Sequence, residues 1–151
     1  MMVSSRTHSS PANGNDRATI ILVVEDEILI RAAVADYLRI AGYTVVEAAD
    51  AAEAVAVFAS GEPVDVVMCD VEMPGSIDGL GLARWIDRRH PSLPVLLTSG
   101  RRVAISTGKR PRHLFIAKPY RLQELAKRLK LLLASPASAA DGRAEPKPRY
   151  S

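Results

Sequence analysis

Residues 64–99 read VDVVMCDVEMPGSIDGLGLARWIDRRHPSLPVLLTS. An apolar run, Val64 to Asp70, ends on an acid and enters a loop containing Pro74 and Gly75. A helical stretch from about Gly79 to Arg89 follows, and a second apolar run, Pro94 to Ser99, closes the unit. Strand, crossover helix and strand in that order imply parallel pairing, because parallel neighbours cannot be joined by a tight hairpin.

The same alternation extends outward. Upstream, Ile20–Val24 reads as a strand, and Ile28 to about Ala41 as a helix with Ile30, Val34, Tyr37, Leu38 and Ala41 on one face. Gly42 closes that helix and Thr44–Ala48 forms the next strand. Asp50 with Glu53 makes a capping box that opens a helix to about Ser60, after which Gly61-Glu62-Pro63 turns the chain. Downstream, residues 100–113 hold Gly100, Gly108, Pro111 and five Lys/Arg, so a helix there is expected to be short or frayed. Leu114–Ala117 reads as a fifth strand. A last helix, about Arg121 to Leu133, carries Leu122, Leu125, Leu129 and Leu132 as one stripe. Five strands alternating with five helical segments imply an α/β fold: a flavodoxin-like doubly wound five-stranded parallel sheet, order 2-1-3-4-5, with helices on both faces.

The 151 residues, 48% hydrophobic and 25% charged, suit one ordinary globular domain. Residues 1–18 and 135–151 lack periodicity and are expected to be disordered tails, leaving 19–134 as the folded domain. Cys69 is the single cysteine, so an internal disulfide is excluded, and no Cys/His cluster offers a zinc site. There is no apolar signal region and no bilayer-length apolar run, so a cytoplasmic protein without a membrane partner is expected. The net charge is +3, but residues 1–100 hold 7 Lys/Arg against 14 Asp/Glu, while residues 101–151 hold 13 against 3. A basic final third can bind nucleic acid or an acidic protein, or simply be solvated. Nucleic acid is disfavoured, since there is no helix-turn-helix sequence and few aromatics for base stacking.

In sheets of this kind ligands sit beyond the carboxyl ends of the strands. Those ends carry Glu25 and Asp26, then Asp70, then Thr98 and Ser99, then Lys118-Pro119. Carboxylates gathered at one edge repel one another unless a cation joins them, and an all-oxygen site suits Mg2+. An aspartate can be a nucleophile toward phosphorus, and phosphoryl transfer needs mainly positioning and charge neutralisation. Asp70 with Lys118 and Thr98 could supply both. An aspartyl phosphatase is disfavoured because Asp70-Val71-Glu72-Met73 lacks the Asp-x-Asp-Thr/Val pattern. A nucleotide enzyme is disfavoured because Gly108-Lys109 lacks the other P-loop residues. Cys69 is expected to be a buried apolar residue, Trp85 part of the packing, and His8, His90 and His113 surface residues.

The chain resembles the receiver domains of two-component response regulators. The resemblance rests on Val23-Val24-Glu25-Asp26-Glu27, Val66-Val67-Met68-Cys69-Asp70, Met73-Pro74-Gly75, Asp78-Gly79, Leu97-Thr98-Ser99 and Lys118-Pro119-Tyr120, and covers residues 19–133. It implies that Asp70 is the phosphoacceptor and that Glu25, Asp26, Asp70 and the backbone carbonyl of Glu72 hold Mg2+. It implies Thr98 as the switch hydroxyl, Lys118 as the phosphoryl-binding lysine, Phe115 as the switch aromatic, and a cis bond before Pro119. The chain differs from the family pattern in Glu25, where Asp is commoner, and in an extra residue within Gly75–Gly79, which is expected to make that loop bulge. The expectation is a stand-alone response regulator, not an enzyme acting on separate substrates. It would take a phosphoryl group from a sensor histidine kinase or histidine phosphotransfer protein and alter contacts with a downstream protein through the face of residues 100–133. Phosphorylation-dependent dimerisation is left open. The alternatives are a degenerate receiver acting as an unphosphorylated binding module and a nucleic-acid binder.

Overall fold

Short β-branched segments with apolar side chains on both faces become strands buried between two layers of helix. The computed structural model describes residues 17–100 and 113–134. Its elements are β1 (Ile20–Val24), α1 (Ile28–Ile40), β2 (Thr44–Ala48), α2 (Ala51–Ala59), β3 (Val66–Asp70), α3 (Gly79–Arg89), β4 (Val95–Ser99), β5 (His113–Ala117) and α4 (Leu122–Leu133). The strands form one sheet, order β2-β1-β3-β4-β5, with every pair parallel. The expected fold and strand order are therefore observed. The segment expected to hold a short helix between β4 and β5, and both expected tails, lie outside the described residues apart from Arg17, Ala18, Gly100 and His113.

Every residue of β1, β3 and β4 is buried, as their continuous apolar sequences require. Strand alternation divides the core in two. Leu22, Val24, Val67, Cys69, Val95 and Leu97 face α2 and α3, packing on Ala54, Leu82 and Ile86. Ile21, Val23, Val66, Met68, Leu96 and Ile116 face α1 and α4, packing on Val34, Leu38, Leu125 and Leu129. Each fully buried Val, Leu or Ile contributes roughly 1.5–3 kcal/mol relative to an exposed one, so these two layers hold the sheet edge in place.

Local signals behave as their chemistry demands, with three corrections. Asp50 accepts the Glu53 amide at 2.9 Å while the Glu53 carboxylate accepts the Ala49 amide at 2.7 Å, so the expected box caps α2. Asp78 caps α3 through the Gly81 amide at 2.9 Å. Ala41 was expected on the apolar face of α1; it is instead exposed beyond the last helical turn, and Ala35 takes the buried position. His113 was expected at the surface. Its side chain is only 7% exposed and its Nε2 lies 2.9 Å from the Asp87 carboxylate, which ties β5 to α3. His90, also expected outside, stacks on Phe58 with ring centroids 4.7 Å apart, and Trp85 packs on the same phenyl at 5.5 Å.

The loop from β3 to α3 turns at Gly75, whose φ of +107° favours glycine. It returns so close to β3 that a Cβ on Gly79 would lie 2.1 Å from the Asp70 carbonyl oxygen and 2.7 Å from the Val71 Cα. The Gly79 amide donates to the Val71 carbonyl at 2.9 Å, locking this approach. Gly79→Ala is therefore expected to lower unfolding free energy by about 2 kcal/mol or more. Gly100→Ala, with open space around the new methyl, is expected to stay within about 0.5 kcal/mol. Urea denaturation of both variants checks the contrast; equal effects would refute it.

Candidate functional site

The strand order reverses between β1 and β3, which leaves a crevice at the carboxyl edge where their chains diverge. Residues 66 and 68 of β3, 96 of β4, and 114 and 116 of β5 all face the α1/α4 layer. Continuing that alternation puts Asp70, Thr98 and Lys118 on the same side, and Glu25, one residue past β1, joins them by the same count from Ile21 and Val23. The register completes the convergence, with Asp70 opposite Thr98 and Ser99 opposite Ala117.

The Lys118 ammonium lies 3.2 Å from Asp70 Oδ2 and 3.3 Å from Glu25 Oε1. Its own amide donates to the Ser99 carbonyl at 2.8 Å, and the Lys118–Pro119 bond is cis. Glu25 is fully buried and Asp70 3% exposed, whereas Asp26 is exposed at the mouth. Glu25 Oε2 accepts the Glu27 amide at 3.0 Å, and Asp70 Oδ1 accepts the Glu72 amide at 3.3 Å. Arg31 donates to the Glu25 carbonyl at 2.7 Å and pins the turn after β1.

Burial pushes the Glu25 carboxyl above its ordinary range, with Asp70 adding to the rise against the opposing Glu27 amide and Lys118. Burial likewise raises Asp70, against the pull of Lys118. For Lys118 burial acts downward, but Glu25 and Asp70 together outweigh it and its pKa ends above the usual lysine value. The Tyr120 hydroxyl is buried without a hydrogen-bond partner among the described residues and is pushed up to about 12 by burial and by neighbouring Glu25. Cys69 is buried, and burial drives its thiol well above the ordinary range, so it is inert apolar packing.

Carboxylate oxygens of Glu25, Asp26 and Asp70 lie within 4.8 Å of one another. Three acids beside one ammonium leave an excess of negative charge, and the all-oxygen donor set fits a hard divalent cation. Thr98 Oγ1, also buried, has no hydrogen-bond partner among the described residues, so within them a hydroxyl at the same edge has a free donor. Phe115 is not brought to the carboxylates: it packs on the α2/α3 side, with its carbonyl accepting from Arg128 at 2.6 Å. The Glu72 side chain turns away from the cluster, with Oε2 accepting from the Ser99 hydroxyl and Oε1 from the Gly100 amide at 3.3 Å. Sequence reading did not find this contact. The signal was the alternation itself, which puts Ser99 on the opposite side from Thr98.

The response regulator receiver domain family matches residues 21–130. The chain belongs to that family. This receiver is 38% identical over 109 residues to the nitrogen assimilation regulatory protein NtrX of Azorhizobium caulinodans, covering 70% of the chain and 24% of the relative. It is 35% identical over 117 residues to the sensor kinase CckA of Brucella abortus, covering 75% of the chain and 12% of that protein. Among solved structures it resembles the response regulator TrrA of Thermotoga maritima, determined in complex with Mg2+ and BeF, with TM-score 0.67, 32% identity and coverage of 76% and 99% of the two chains. The chain spans about a quarter of the length of the first curated relatives it matches. Among the described residues no helix is long and apolar enough to cross a membrane.

Because the folded receiver holds the Glu25 and Asp70 carboxyls above their ordinary values, it favours their protonated forms. That contribution to stability is complete below the ordinary carboxylate range and is lost as pH rises through the raised values. In metal-free buffer at pH 7, Asp70→Asn is therefore expected to raise the urea midpoint above wild type. The gain should shrink once both proteins are below about pH 4. A lower midpoint for the variant at pH 7 would contradict the electrostatics described.

Proposed function

We propose that the protein is a phosphorylated signalling switch in which Asp70 takes a phosphoryl group from a phosphohistidine on a sensor histidine kinase or phosphotransfer protein. The observation that carries this reading is the meeting of Glu25, Asp26 and Asp70 with the Lys118 ammonium and the unpartnered Thr98 hydroxyl at one sheet edge.

The Glu25, Asp26 and Asp70 carboxylates and the Glu72 backbone carbonyl would hold Mg2+. The ion, when bound, neutralises charge on the phosphoryl oxygens. A carboxylate oxygen of Asp70 forms a bond to phosphorus as the phosphorus–nitrogen bond of the donor breaks, and the departing imidazole takes a proton from solvent. Lys118, already 3.2 Å from Asp70 Oδ2, neutralises a further phosphoryl oxygen. The Thr98 hydroxyl, which has no competing partner among the described residues, donates a hydrogen bond to another. Attack of water on phosphorus then breaks the acyl phosphate, regenerates the Asp70 carboxylate and releases inorganic phosphate. The protein thus modifies only itself and is not an enzyme acting on separate substrates.

Output passes through protein contacts on the face of residues 100–133, of which 101–112 lie outside the described residues. Within the described part, Arg128 ties α4 to the Phe115 carbonyl of β5 by a hydrogen bond. Phe115 would serve as the switch aromatic by responding to Thr98 through β5. We place these contacts in the cytoplasm.

Intact-mass measurement after incubation with acetyl phosphate tests the chemistry. A gain of one phosphoryl group is expected for the wild type with Mg2+, none after chelation, and none for Asp70→Asn. Absence of uptake by the wild type, despite a Mg2+-induced rise in melting temperature, would instead favour a receiver that works as an unphosphorylated binding module.

A further inference from the structure

A fourth carboxylate stands beside the three that face the crevice. Glu72 follows Asp70 by two residues, and its amide touches the Asp70 carboxylate at 3.3 Å. Its side chain is nevertheless outside the cluster formed by Glu25, Asp26 and Asp70. Both of its oxygens are engaged on the far side of β4, one by the Ser99 hydroxyl and one by the Gly100 amide. Ser99 is wholly buried. Its carbonyl accepts the Lys118 amide at 2.8 Å, and the preceding carbonyl, of Thr98, accepts the Val71 amide at 2.8 Å. The backbone that carries the Ser99 hydroxyl is therefore held from both sides, as a positioning group must be.

We propose that Ser99 is a positioning residue that keeps the Glu72 carboxylate out of the metal site. The proposal rests on the Mg2+-dependent chemistry above and assigns to this chain's own Ser99 the setting of the site's charge. A free Glu72 carboxylate would add another negative charge within reach of Asp70, and Glu72 already pushes the Asp70 carboxyl upward from where it lies. Additional anionic ligands tighten binding of a hard divalent cation. The same charge opposes the approach of an anionic phosphoryl donor. Ser99 thus trades metal affinity for access by the donor. A neutral pair of donors suits that role, since a lysine or arginine there would change the net charge of the edge, whereas a hydroxyl and an amide only fix direction.

A double-mutant cycle on the full chain tests this, with Mg2+ affinity read by isothermal titration calorimetry and phosphoryl uptake from acetyl phosphate read by intact mass. Circular dichroism first establishes that each variant is folded. Ser99→Ala is expected to bind Mg2+ about threefold or more tightly than wild type and to take up phosphate more slowly. Ser99→Thr, which keeps the hydroxyl, is expected to restore both. In a Glu72→Gln background Ser99→Ala is expected to change neither, because the charge it releases is gone. Unchanged or weaker Mg2+ binding in Ser99→Ala would overturn the proposal, as would the same change with Gln at position 72. Failure of the wild type to bind Mg2+ at all would overturn the underlying metal chemistry as well, and is distinguishable because it appears before any substitution is made.

Discussion

One ammonium stands between two buried carboxylates, and the carboxyl edge of the sheet is organised around it. Glu25 and Asp70 are almost inaccessible to water, and an isolated buried charge of either sign is strongly disfavoured. Lys118 meets both within 3.3 Å. The attraction is large enough to hold its own proton firmly, but not to return either carboxyl to its ordinary range. The edge is therefore under-neutralised. A compact cation would relieve that imbalance without breaking the Lys118 contacts. That deficit of positive charge would draw a cation, and the cation would in turn offset the repulsion of an anionic group.

Little of this depends on loops. Four of the five chemical groups are set by strand alternation and register, through which the apolar residues that fill the α1/α4 layer also determine which polar residues emerge beside one another. A slip of one residue in β4 would put Ser99 where Thr98 stands and send the threonine hydroxyl toward α3. The apolar residues of β3 and β4 are thus part of the site's specification although none touches it. Gly79 does the corresponding work on the open side, where the returning chain must pass against the Asp70 carbonyl with no room for a side chain.

The same logic explains what was legible in the sequence. Strand order, helix positions and the capping of α2 rest on periodicity and on short-range chemistry, which one chain displays directly. The gathering of Glu25, Asp70, Thr98 and Lys118 was legible because strand ends in a parallel sheet share one edge. The Ser99–Glu72 contact, the pairing of His113 with Asp87 and the stacking of His90 on Phe58 were not. Each joins residues on different elements through side-chain direction, which sequence spacing leaves undetermined. His113 illustrates the point: a histidine opening a short strand after a basic stretch has every local mark of a surface residue, and only α3 crossing beneath it supplies the carboxylate that makes burial acceptable.

The distribution of hydrogen bonds also determines what can respond first when the charge at Asp70 changes. The backbone at the end of β4 is tied on both sides, Thr98 to Val71 and Ser99 to Lys118, and Glu72 adds a side-chain tie across the same corner. Moving that backbone would break several bonds at once, each worth about 1 kcal/mol. The Thr98 hydroxyl would break none when it turns, since it has no partner among the described residues. A new anion at Asp70 would therefore act first on a side-chain rotor beneath a fixed strand. A buried hydroxyl left unpaired among the described residues is ordinarily a cost to the fold, and here it would let the site respond to a new anion without unlacing the sheet.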